Sequence, residues 1–168
     1  MEKEIIKKDN ERLQDFVNTI FQNVSTAVQS IDEILTLNKD EAFLKELNSQ
    51  KQGYLDFKNK VLEFCTKNGL KADDNNWFEK TRLFTSIKMT TMFDKSLRHL
   101  AEMMLLGTVM GTLTCYKDLS DYKGVNSTLY GILNDLIAFE EQNFNNIKKF
   151  LKENWCEWYF KSINLSAS

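Results

Sequence analysis

Residues Asn10 to Leu37 read NERLQDFVNTIFQNVSTAVQSIDEILTL, and this stretch decides the fold. Leu13, Phe16, Ile20, Val24, Ala27, Ile31 and Ile34 recur at spacings of three and four. On a helix of about 3.6 residues per turn these positions draw one continuous apolar stripe. A helix with a single apolar face must bury it against other elements, and the rest of the chain supplies them.

Asn38 and Asp40 interrupt the stripe, and Asp40 is a suitable N-cap because its carboxylate can accept from the free amides of a first turn. The helix predicted over 40–68 carries Phe43, Leu47, Tyr54, Phe57, Val61 and Phe64 on one side. Asn68-Gly69 closes it, since glycine takes the left-handed conformation past a helix end at little cost. The polar cluster Asp73-Asp74-Asn75-Asn76 predicts a third start, followed by Trp77, Phe78, Thr81, Phe84 and Ile87 at helical spacing. That helix is expected over about 76–119, with an irregular turn near Met89 to Phe93. There Thr90 and Thr91 are β-branched, and Asp94 and Ser96 can cap a restart. Ser120, Asp121 and Gly124 form the next connection, and Leu129, Ile132, Leu136, Phe144, Ile147, Leu151 and Trp155 mark a fourth helix over about 126–160.

Four long amphipathic helices joined by short polar loops predict a single all-α domain over 1–168, an up-down-up-down four-helix bundle, because a short loop makes sequential neighbours antiparallel. The 168 residues include no proline and only six glycines, which argues against turn-rich β architectures. Met103 to Tyr116 is an apolar-rich stretch of fourteen residues without a charge. That falls short of the roughly 18 needed to read a membrane span, so it reads as a buried helix. With 22 basic and 24 acidic residues, neither sign dominates enough to suggest nucleic acid or an anionic membrane as partner. Cys65, Cys115 and Cys156 are too widely spaced for a zinc motif and read as reduced thiols. The N-terminus lacks the apolar core of a secretory signal, so a cytoplasmic location is expected. Phosphate-binding glycine loops and a serine nucleophile elbow are missing from the sequence.

The run Asp94-Lys-Ser-Leu-Arg-His99-Leu-Ala-Glu102-Met-Met-Leu-Leu-Gly107-Thr-Val-Met110-Gly111 resembles a motif of uncharacterised ferritin-like bundle proteins of low-GC Gram-positive bacteria. In that motif Asp-Lys-Ser precedes His-x-Ala-Glu-Met and then Gly-x-x-Met-Gly. The likeness continues through Phe139-Glu140-Glu141-Gln-Asn143 and Ile147-Lys-Lys-Phe150-Leu151, and covers about Trp77 to Leu151. The resemblance implies a ferritin-like fold and kinship with a family of unsettled function.

A di-iron centre of ferritin-like type takes a Glu from each of two helices and Glu-x-x-His from each of the other two. That count demands two histidines, and His99 is the only one. Its local order, His99-x-x-Glu102, is reversed. The stripe from Leu13 to Ile34 offers no carboxylate, and Glu46 has Ser49 and Gln50 where a histidine is needed. No cofactor and no metal are therefore expected. Two readings of the remaining polar residues stand. His99, Glu102 and Glu140 converge on a residual mononuclear metal or proton-transfer site. Otherwise His99 is a satisfied, partly buried histidine bonded to Glu102 or a backbone carbonyl, with Glu140 pairing Arg98 or solvent.

Gly107 and Gly111, with Met110 between them, free one helical face for close approach. They admit a large side chain such as Phe139, Phe144 or Tyr130, or else form a self-association groove. Trp155, Trp158, Tyr159 and Phe160 either cap the bundle core or form an exposed interface. Met89, Met92, Met103, Met104 and Met110 could line a small-ligand pocket, although methionine at helical spacing is commonly core. The function expected from these residues is that of a non-catalytic bundle acting through self-association, as a possible homodimer, or through another protein. The alternative is a metal-binding or redox protein with a reduced ligand set around His99 and Glu102.

Overall fold

The computed structural model describes residues 2–73 and 94–165, with side chains over 7–73 and 94–151. Four helices account for nearly all of it: α1 (Glu2–Leu35), α2 (Glu41–Asn68), α3 (Leu97–Asp121) and α4 (Ser127–Leu165). No strand occurs among the described residues. The ends lie where local chemistry puts them. Asp40 caps α2, its Oδ1 accepting from the Phe43 amide at 2.8 Å. Gly69, at φ 65°, stops α2 in the left-handed conformation and turns its amide back to the Cys65 carbonyl. Ser96 caps α3, its hydroxyl accepting from the His99 amide at 3.3 Å, while Asp94 accepts from the Ser96 amide. Asn126 caps α4 through the amides of Thr128 and Leu129. α1 begins eight residues earlier than the apolar stripe alone predicts. The expected helical segment from residue 76 and the turn at Met89 to Phe93 lie outside the described residues; the restart at Leu97 is inside them.

Around the bundle the order is α1, α2, α4, α3, so that α1 packs on α2 and α3, and α4 packs on α3 and α2. Side-chain pairs fix the directions. Along α1 and α3, Arg12 reaches the Asp121 carbonyl, Phe16 stacks on Tyr122, and Asn23 reaches Gly111, so the two run antiparallel. Along α2 and α4, Phe43 meets Phe150 and Tyr54 meets Phe139, again antiparallel. Since α1 and α2 are themselves antiparallel, α2 and α3 run the same way. The bundle is up-down-down-up, which corrects the alternating order expected from short loops. The error lies in the stretch after Gly69. Gln14 donates to the Lys71 carbonyl and Gln22 to the Asp73 carbonyl, so this chain climbs back alongside α1 instead of turning directly into α3. One long crossover of this kind is the other standard way to connect four helices.

The core is built from the predicted stripes. Phe16, Ile20, Ile31, Phe43, Leu47, Leu100, Leu129, Leu133, Leu136 and Ile147 are fully buried. Phe43–Phe150 and Tyr54–Phe139 are edge-on ring pairs, both with centroids 5.1 Å apart. The glycine that admits Phe139 is Gly53 on α2, whose missing β-carbon would fall within that ring, and not Gly111. The uncharged segment of α3 is only half buried: Met104, Thr108 and Cys115 face inward, but Leu106 and Leu113 face out.

Candidate functional site

Midway along the bundle the apolar core gives way to a polar layer with a contribution from every helix. α1 places Asn23 there, α2 Tyr54, α3 Thr112 and Cys115, and α4 Glu140 and Asn143. Glu140 is 1% exposed, in the stripe position between Leu136 and Phe144. Its Oε2 accepts from the Thr112 hydroxyl at 2.9 Å. Tyr54 hydrogen-bonds to Glu140, and the buried Nδ2 of Asn143 beside them has no partner among the described residues. Asn23 donates to the Gly111 carbonyl at 3.3 Å and to Cys115 Sγ at 3.0 Å. Gly111 makes the layer possible. A β-carbon there would lie 2.7 Å from Glu140 Oε1 and 3.2 Å from Asn23 Oδ1, so the absent side chain is the space these two oxygens occupy.

Every ionisable group in the layer is pushed toward its neutral form. Burial raises Glu140 to about 8, outweighing the Thr112 and Tyr54 hydrogen bonds that favour the carboxylate. Burial, and then the proximity of Glu140, raise both Tyr54 and Cys115. Among the described residues, the groups facing Glu140 from the other helices are a phenol, a hydroxyl, a thiol and an amide, and none of them is a cation that would hold a carboxylate charged. At neutral pH the layer is a set of protonated acids and amides that can hold a proton and hand hydrogen bonds between helices.

A ferritin-like dinuclear centre would have to sit at this level, and the residues do not fit one. Among the described residues the layer offers one carboxylate, and Glu140-x-x-Asn143 has an amide where Glu-x-x-His needs an imidazole. Among the described residues no three His, Cys, Asp or Glu side chains are grouped to hold a metal ion. Glu140 bonds to Thr112 and Tyr54 instead of pairing with Arg98 or solvent. Arg98 pairs instead with Glu102 at 2.9 Å.

The expected convergence of His99, Glu102 and Glu140 does not occur. His99 lies twelve residues before Gly111 on α3, about 18 Å along the axis from the level of Glu140. His99 Nδ1 is 4.0 Å from Glu102, too far for a hydrogen bond, and its buried Nε2 has no partner among the described residues. Gly111 seats the Glu140 carboxylate instead of an aromatic ring, and Met110 is partly buried. Of the methionines proposed to line a pocket, Met104 is core, Met103 is partly buried, and Met89 and Met92 lie outside the described residues. The side chains of Trp155, Trp158, Tyr159 and Phe160 also lie outside them, on the last turns of α4.

Sequence reasoning found Glu140 but missed Asn23, Tyr54, Thr112, Cys115 and Asn143. The available signal was a coincidence of level: each helix carries one or two hydrogen-bonding residues near the middle of its inward stripe. A second, smaller polar point sits toward the loop end, where burial raises Asp118 to about 6 against a hydrogen bond from Thr19.

No protein-family model and no curated protein matches the chain. Among solved structures it is similar to a dodecameric thioferritin, the bacterioferritin-related protein from Bacteroides fragilis, with a TM-score of 0.69 at 13% identity. The match covers 94% of this chain and 97% of that one. Likeness at this identity speaks to fold alone, and with the crossover and helix order above it makes the chain an all-α four-helix bundle of ferritin-like fold.

Proposed function

We propose that this chain is a non-catalytic, self-associating ferritin-like bundle that works in the cytoplasm and assembles through the outward face of α3. One observation carries the reading. Leu106, Val109, Leu113 and Tyr116 are 49%, 39%, 63% and 50% exposed and fall at spacings of three, four and three, on one side of α3. No charged residue interrupts α3 between Glu102 and Lys117. An apolar stripe about three turns long on a helix whose other side is already in the core is the signature of a surface that another protein covers. The similar solved protein is described as dodecameric, which supports assembly as a use of this fold. Buried free thiols at Cys65 and Cys115 agree with a reducing compartment. Among the described residues no third His, Cys, Asp or Glu joins His99 and Glu102 in a group that could hold a metal ion, so no observation favours the metal-binding alternative.

Sedimentation velocity on the purified chain tests the reading. The wild-type protein is expected to sediment as a multimer, and Leu113→Glu, at a site too exposed to disturb the core, to sediment as a monomer with unchanged helical circular dichroism. A wild-type monomer at tens of micromolar would overturn self-association, and a multimer indifferent to Leu113→Glu would remove α3 from the interface.

A further inference from the structure

We infer that the occupant of the α3 face is a second copy of this chain, with the two α3 helices antiparallel about a two-fold axis between Val109 and Met110. The inference rests on the self-association reading and adds the partner's orientation to it. The exposed residues of α3 run in the order Arg98, Glu102, Leu106, Val109, Leu113, Tyr116, Lys117, Ser120 and Asp121, with opposite charges bracketing the apolar centre at each end. Antiparallel pairing about that axis sets Leu106 opposite Leu113 of the second copy, and Val109 beside its own counterpart. It also sets Glu102 opposite Lys117 of the second copy, and Arg98 opposite Asp121. Each charge therefore meets its opposite, twice over by symmetry.

The parallel arrangement does the reverse: it stacks Arg98 on Arg98, Glu102 on Glu102 and Lys117 on Lys117. Like charges placed together at an interface select against that orientation. Sliding one helix by a turn, to an axis at Gly111, sets Leu106 opposite Tyr116 and Val109 opposite Leu113, so apolar contact is kept there, but it takes Glu102 off Lys117 and Arg98 off Asp121. Apolar contact therefore allows more than one register, and charge selects the one about Val109 and Met110. Glu102 already pairs with Arg98 within its own helix, so in the dimer it joins a three-membered ion network with Lys117 of the second copy. The apolar stripe from Leu106 to Tyr116 spans about 15 Å, the length of a short antiparallel coiled-coil seam with polar ends.

Charge exchange tests the register. Glu102→Lys and Lys117→Glu, each alone, place like charges across the axis and are expected to raise the dissociation constant roughly tenfold at low salt. The double variant Glu102→Lys with Lys117→Glu restores the opposite-charge pairing and is expected to recover wild-type affinity within about threefold. High salt should compress all four toward one value. If Leu113→Glu abolishes association but the double variant fails to recover, the antiparallel register is overturned while self-association through α3 stands. If Leu113→Glu leaves the mass unchanged, the α3 reading itself falls, and the register with it. Circular dichroism on each variant separates lost association from lost folding.

Discussion

Glu140 is the residue on which the centre of the molecule turns, because it is the one group there that changes charge within the range of ordinary buffers. Its carboxyl titrates near 4.5 when unfolded and is pushed up to about 8 in the fold by burial. The folded state thus keeps a proton that the unfolded state has released, and stability falls as pH rises between those values. The stabilisation is complete below about 4.5 and gone above about 8, a loss on the order of a few kcal/mol. Glu140→Gln keeps the size and hydrogen-bonding groups of the neutral acid but cannot ionise. Its melting temperature is expected to match or fall just below the wild type near pH 5 and to exceed it above pH 8. The difference between the two curves isolates Glu140, since Asp118, raised to about 6, is common to both. Parallel curves at a constant offset would show that Glu140 is charged in the fold.

Among the helices, two glycines on inward positions set how closely α4 can approach. Gly53 admits the Phe139 ring and Gly111 admits the Glu140 carboxylate. Gly111→Ala adds helix propensity worth about 1 kcal/mol. It also forces the buried carboxylate and Asn23 apart, at a typical overpacking cost of about 1 to 3 kcal/mol, so the net effect is destabilisation. Gly131→Ala on exposed α4, with nothing within 4 Å of the new methyl, lacks that cost and should be stabilising by up to about 1 kcal/mol. Urea midpoints of the two variants should therefore move in opposite directions. The same contrast shows how far the sequence could be read. Asp40, Gly69 and the apolar stripes were legible because capping and periodicity are local, confined to a turn or two of one helix. Asn23 was not, since a single amide barely alters a stripe of seven apolar residues. Tyr54 passed as a stripe residue because its ring packs like one while its hydroxyl reaches Glu140. The outward face of α3 was hidden because an uncharged helix apolar on both sides has no periodicity to reveal which side is covered.

For the whole molecule, helix number and class were legible, but helix direction was not. Direction depends on whether the chain after Gly69 turns into α3 or climbs beside α1, and polar composition is the same for both routes. The central layer raises a similar question of kind: a ferritin-like frame can carry a metal centre there, whereas these side chains are protonated acids and amides. Metal binding would have to strip protons from Glu140, Cys115 or Tyr54, all of which burial holds in the neutral form. A site with a dissociation constant of about 1 µM would add roughly 2.7 kcal/mol of stability at about 100 µM free metal. In a chain of this size that is a rise of roughly 5 to 10 °C in melting temperature. Fe(II), Mn(II) and Zn(II) added anaerobically to about 100 µM, and EDTA in a parallel sample, are expected to leave the melting temperature unchanged. A rise of the calculated size that disappears in Glu140→Gln would place a metal in the layer, and the layer would then have to open its hydrogen bonds to Thr112 and Tyr54 to admit it.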